Sequence, residues 1–270
     1  MRDRTSVTTD PAGRRVVAKV AGNAEEADRL QREASQLEAA RHPGVVELVG
    51  VDGHGVGAIL LTAHVDGPTV AKVGRLPLEE SAGLLAALAT TLADLHDLGL
   101  VHGAVSPEHV LVGAGGRPVL CSLGYGGAVG ERVAARPPLP AAFTDPARHD
   151  PALLTPAFDV FGVGALARFL APDPPPGHVM ARVAAEATLD DPSARPPARA
   201  LAEMLHQEVP AARLPRGLPS PPLPRPAASS PADPLAAWRR EGGGLGTHRR
   251  PSRSRLVAGI GAGVVLAGAA

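Results

Sequence analysis

A chain of 270 residues suffices for one or two domains, and its 27 basic and 27 acidic residues cancel to a formal net charge of zero. Residues 208–270 hold nine arginines and three acids, a balance of +6, so residues 1–207 stand at −6, and an acidic domain argues against a nucleic-acid binder. The single cysteine, Cys121, excludes an intrachain disulfide and fits a reducing compartment, and no N-terminal signal peptide is visible.

Aromatic residues make up only 2% of the chain, so a core must rest on Leu, Val and Ala. Residues 14–20 read as a strand after a Pro11-Ala12-Gly13 turn. Residues 25–40, rich in Ala, Glu, Gln and Leu, are a helix by propensity, with Leu30 and Leu37 two turns apart on one face. Residues 58–62 form a short apolar run with the length of a buried strand. Residues 79–98 predict a long amphipathic helix, because Leu85, Leu88, Leu92 and Leu95 recur at helical spacing and Gly99 supplies a stop. Residues 110–112 and 118–121 read as the two arms of a hairpin. Thr155 suits an N-cap and Pro156 the first turn of a further helix. Between Leu170 and Val179, a run of four prolines, Gly177 and few others predicts a loop.

The C-terminal quarter changes character. Residues 209–235 contain nine prolines and read, with the Gly-rich stretch up to 248, as a linker. Residues 249–255 carry Arg249, Arg250, Arg253 and Arg255, and residues 256–270 have no polar side chain. That order predicts a cytoplasmic basic flank and a C-terminal transmembrane helix or the start of one, a single pass or tail anchor with the preceding domain on the cytoplasmic side. Fifteen helical residues span about 22 Å, short of the roughly 30 Å hydrocarbon core. Gly259 and Gly263 form a G-x-x-x-G, a hint of a homodimer.

The chemistry-bearing stretch is His102-Gly103-Ala104-Val105-Ser106-Pro107-Glu108-His109, followed eighteen residues after Ala104 by Ser122-Leu123-Gly124. It resembles the H-R-D-x-K-P-x-N and D-F-G motifs of the protein kinase family. Other segments resemble the same family in the same order. Val17-Ala18-Lys19 is similar to its V-A-I-K strand. Arg32-Glu33-Ala34 is similar to its mobile helix, and His42-Pro43-Gly44-Val45-Val46-Glu47-Leu48 follows nine residues after Glu33. Val65-Asp66-Gly67 is similar to the end of its hinge, Phe158-Asp159-Val160-Phe161 to the helix behind the catalytic loop, and Asp191-Pro192-Ser193-Ala194-Arg195-Pro196 to the D-P-x-x-R-P before its last helix. The large Ala, Gly, Pro and Arg fractions suggest a GC-rich genome, and within the family the chain most resembles actinobacterial serine/threonine kinases and pseudokinases.

The resemblance covers residues 4–208 and implies an α+β, bilobal protein-kinase-like fold, with a small β-rich lobe carrying one helix and a larger helical lobe. Residues 4–10 fall on the family's second strand, so its first strand and Gly-rich loop are missing from this chain. By the resemblance, Lys19, Glu33 and the gatekeeper Thr62 are the nucleotide-binding positions, and His102, Gly124, Asp159 and Arg195 are structural. The catalytic positions are degenerate: the base is Ala104, the lysine Ser106, and the two metal ligands His109 and Ser122. Alanine accepts no proton, and a neutral serine is a poor Mg²⁺ ligand. The expectation is therefore a pseudokinase, a membrane-tethered scaffold or regulator of a protein partner the sequence does not name. It would require no cofactor, bind ATP at most weakly and without Mg²⁺, and use no metal and no nucleic acid. Two alternatives stay open: an active serine/threonine kinase of atypical chemistry whose start lies upstream, and an anchored interaction domain that binds no nucleotide. The glutamate that usually pairs with Arg195 has no match; its nearest counterpart is Asp145-Pro146-Ala147.

Overall fold

Alternation decides the first elements. In the computed structural model, which describes residues 4–133, 137–149, 151–208 and 214–215, β1 (Arg4–Thr9) and β2 (Arg15–Val20) form a hairpin, with Arg4 opposite Val20 and Thr9 opposite Arg15. Along β2 the buried residues Val16, Ala18 and Val20 alternate with half-buried ones, so Lys19 points to the other face of the sheet. Asn23 then caps α1 (Ala24–Ala39), its side chain accepting from Glu26 N–H at 2.8 Å. β3 (Leu48–Asp52), with an irregular register between Leu48 and Gly50, and β4 (Ile59–Ala63) complete a four-stranded antiparallel sheet of order β1-β2-β4-β3. Among the described residues, β1 pairs with β2 alone, which leaves its outer edge open.

A short helix, α2 (Val70–Val73), leads into α3 (Leu78–Asp97), the longest helix described. Its Leu84, Leu85, Leu88, Leu92 and Leu95 are each at most 1% exposed, and each such leucine contributes about 1.5–3 kcal/mol. Gly99, at φ +74°, ends the helix where an L side chain is disfavoured. The chain then makes three two-stranded ribbons. β5 (Leu100–Val101) pairs with β8 (Gly127–Ala128), β6 (Val110–Val112) with β7 (Pro118–Leu120), and β9 (Arg132–Val133) with β10 (Ala152–Leu153). α4 (Pro156–Leu170), α5 (Val179–Glu186) and α6 (Ala198–Glu208) join α3 around one Leu, Val and Ala core. Residues 171–178, the proline-rich run, form no helix.

The C-terminal transmembrane helix in the expected fold class requires correction. Among the described residues no helix is long and apolar enough to cross a membrane. α3 has the length, but it carries Glu79, Glu80, Asp94 and Asp97, and its apolar face is buried in protein. The linker at 209–248, apart from residues 214–215, the basic flank at 249–255 and the apolar stretch at 256–270 lie outside the described residues.

Candidate functional site

The site lies where the small sheet and α1 meet the loop at 102–109 and the turn at Ser122. β2 presents Lys19 and α1 presents Glu33 to it: Lys19 Nζ lies 2.6 Å from Glu33 Oε1 and 3.3 Å from Ser122 Oγ. Glu33 is fully buried, and the Lys19 side chain is 11% exposed. Thr62, buried on β4, stands opposite Val17, two pairs along from Lys19 opposite Leu60, and so shares the Lys19 face of the sheet.

Ser122 is the one non-glycine residue among those described with a positive φ, at φ 68° and ψ 50°. An L residue in the left-handed region costs about 1–2 kcal/mol, and that turn aims the hydroxyl at Lys19. Two residues on, Gly124 lies under α1. A Cβ there would come within 2.8 Å of Arg29 Cγ, 3.1 Å of Arg29 O and 3.5 Å of Glu33 Cβ. Only glycine lets α1 approach this closely.

The loop at 102–109 is held from below. Asp159, fully buried on α4, accepts from the N–H groups of His102 at 2.8 Å and Gly103 at 2.7 Å, and contacts His96 Nε2 at 3.0 Å. Burial pushes the Asp159 carboxyl up, but the His96 hydrogen bond, the neighbouring imidazoles and the His102 N–H outweigh it and hold it below the usual carboxylate range. The His102 ring accepts from Ala104 N–H at Nδ1, 3.2 Å, and donates from Nε2 to Cys121 O at 3.0 Å, which ties the loop to the residue before Ser122. Burial lowers the His102 pKa, so the ring is neutral near pH 7.

Ala104 and Ser106 point inward, 1% and 0% exposed, and Ser106 Oγ has no hydrogen-bond partner among the described residues. His109 Nδ1 donates to Ala104 O at 2.7 Å. Burial, opposed by that hydrogen bond, brings its pKa down to about 4, so a neutral imidazole stands there at pH 7. Chemically, this cleft offers one ammonium paired to a carboxylate, one hydroxyl and one neutral imidazole.

Arg195 is remote from that cluster. Its Nη2 lies 3.0 Å from Asp145 Oδ1 and its Nη1 bonds Asp145 Oδ2, a bidentate pair with both side chains buried. Asp145 thus sits where the sequence offered only an imperfect match, and the acid in the Asp145-Pro146 pair was the signal for it. Arg148 gave no such signal. It is 5% exposed, donates from Nη1 to Gly103 O at 2.5 Å and lies 5.3 Å over the Phe158 ring. The cavity bordered by Gly103, Ala104, Val105 and Arg148 holds about 20 Å³, room for about one water.

Over 113 residues the chain is 35% identical to the serine/threonine-protein kinase pkn2 of Myxococcus xanthus, a match covering 39% of this chain and 14% of that protein. It is 31% identical over 183 residues to the serine/threonine-protein kinase AfsK of Streptomyces coelicolor, covering 62% of this chain and 22% of that protein. The domain is protein kinase-like. A third relative, the probable serine/threonine-protein kinase PkwA of Thermomonospora curvata, is 28% identical over 191 residues, 64% of this chain and 26% of that protein. These relatives support the kinase family for the kinase-like domain, whose small sheet and helical layer agree with it. The matches span 14–26% of the length of these relatives. No protein-family model matches the chain.

Proposed function

We propose that this kinase-like domain transfers no phosphate, and that it acts as a regulator or scaffold for a protein partner, with weak ATP binding that needs no metal. One observation carries the reading: Ala104 stands at the position of the family's base. Phosphoryl transfer relies on positioning and charge stabilisation by that base and the metal-holding groups. The Ala104 methyl accepts no proton, and its neighbours replace none of the missing chemistry.

The donor set supports the metal-independent part. Mg²⁺ prefers carboxylates and phosphates. The two ligand positions hold the Ser122 hydroxyl and the His109 imidazole, and the Glu33 carboxylate is engaged by Lys19. Among the described residues, no group of three or more His, Cys, Asp and Glu could hold a metal ion. The residues present are therefore a poor fit for Mg²⁺, and Lys19 is the cation left to hold a phosphate, with Thr62 and Glu33 lining the same face.

The test is label transfer from γ-labelled ATP with Mg²⁺ or Mn²⁺ by the full chain, to itself and to a general acceptor protein. The reading expects no incorporation above background. Incorporation that the Lys19→Arg variant loses would overturn it.

A further inference from the structure

Helix α1 meets the sheet largely through small side chains: Ala27, Leu30 and Ala34 pack on Ala21, Ala58 and Leu60, with Leu48 and Val51 beside them, while Leu37, near its C-terminal end, joins the main core. Alanine buries little area, so polar ties near Ser122 add to what fixes the position of α1 there.

Arg29, Arg32 and Glu33 lie three and four residues apart and therefore share one helix face. Glu33 reaches Lys19. Arg29 stacks 5.3 Å over the Tyr125 ring, in the turn that begins at Ser122. Arg32 forms an ion pair with Glu131 Oε1, and Glu131 Oε2 accepts from Ala128 N–H at 3.0 Å. Glu131 thus anchors in its own turn, between β8 and β9, before it reaches α1. One helix face carries both the cleft carboxylate and two ties to the segment that follows Ser122. A rotation of α1 that withdrew Glu33 would break both ties.

We infer that Arg32 and Glu131 are positioning residues for the Lys19–Glu33 pair: their ion pair, with Arg29 on Tyr125, braces α1 against residues 123–131, so the cleft is assembled before any ligand arrives. The inference rests on the proposed nucleotide reading for its purpose, but not for its geometry. Burial pushes the Glu131 carboxyl up, and the Arg32 hydrogen bond, the Ala128 N–H and the Arg32 charge together reverse this, so the carboxyl lies below the usual range and the brace is charged near pH 7.

Amide hydrogen exchange on the full chain tests it without ligand. Glu131→Gln and Arg32→Glu are expected to speed exchange across residues 24–39 at least fivefold, with α4 unchanged, and the double variant Arg32→Glu/Glu131→Arg is expected to recover most of the protection. Salt at 1 M, where the screening length is about 3 Å, should loosen α1 in the parent chain as well. Unchanged exchange in α1 in both single variants would overturn the inference. ATP affinity is read on the same variants and is expected to fall several-fold in each single variant. A chain whose α1 exchange responds but which binds no ATP keeps the brace and loses the nucleotide reading. A chain that binds ATP with α1 exchange unmoved loses the brace and keeps the nucleotide reading.

Discussion

Glu33 and Lys19 meet at 2.6 Å, and the second carboxylate oxygen, Glu33 Oε2, is buried with no hydrogen-bond partner among the described residues. Among the described residues the carboxylate therefore relies on Lys19 for its partner. Removing Lys19 leaves a buried carboxylate with nothing to neutralise it. Lys19→Met should destabilise the folded chain by about 3–5 kcal/mol, read by urea unfolding. Lys19→Met/Glu33→Leu should recover most of that loss, since the stranded charge goes too. A double variant no more stable than Lys19→Met would contradict this view of the pair.

Asp145 and Arg195 make the matching argument in the helical layer. Arg195 also donates to Leu189 O at 2.8 Å and Ala157 O at 3.0 Å and lies 5.2 Å over the Phe161 ring. Asp145→Asn keeps the shape and removes the charge, leaving a buried guanidinium unpaired, at a cost of about 3–5 kcal/mol. Urea midpoints measure it, and a loss below about 1 kcal/mol, the scale of an exposed pair, would contradict the buried assignment.

His109 makes stability depend on pH. Its pKa lies at about 4 in the fold, against 6.5 for an ordinary imidazole. Between those values the unfolded chain binds a proton that the folded chain does not, so stability rises with pH across this window and falls on acidification from 6.5 towards 4. His109→Asn should flatten that part of the stability curve. Asp159 acts at lower pH: its folded pKa is lowered, so its contribution is present above the ordinary carboxylate value of 3.8 and is lost as pH falls through the folded one. A His109→Asn curve as steep as the parent's between pH 4 and 6.5 would show that another group titrates there.

Gly124→Ala tests how closely α1 sits on the turn after Ser122. The Arg29 contacts of 2.8 and 3.1 Å force α1 or the turn to shift, at about 1–3 kcal/mol. Thermal unfolding reads the loss. Exchange in α1 should rise with it. Full stability would mean that α1 has slack there.

Local patterns made much of this legible. The strand at Arg15–Val20, the helix at Ala24–Ala39 and the helix at Leu78–Asp97 lie within one residue of the bounds their periodicity predicts. The hairpin at 110–120 and the helix after Thr155 follow from turn and cap residues, although Thr155 caps without a side-chain hydrogen bond. Contacts between distant residues were not legible. Arg32 and Glu131 stand 99 residues apart and nothing local marks them, whereas Asp145 and Arg195, 50 apart, were marked only by the imperfect match at Asp145-Pro146. The apolar run at 256–270 invited a membrane reading because hydropathy alone cannot distinguish a span from any other apolar stretch of that length.

The most direct measurement of the central claim is thermal unfolding of the full chain with saturating ATP, once with a chelator and once with Mg²⁺. A ligand at 100 times its dissociation constant stabilises by about 2.7 kcal/mol, a shift that is easily read. The account predicts the same upward shift in both conditions. A shift that appears only with Mg²⁺, or no shift in either, would contradict it.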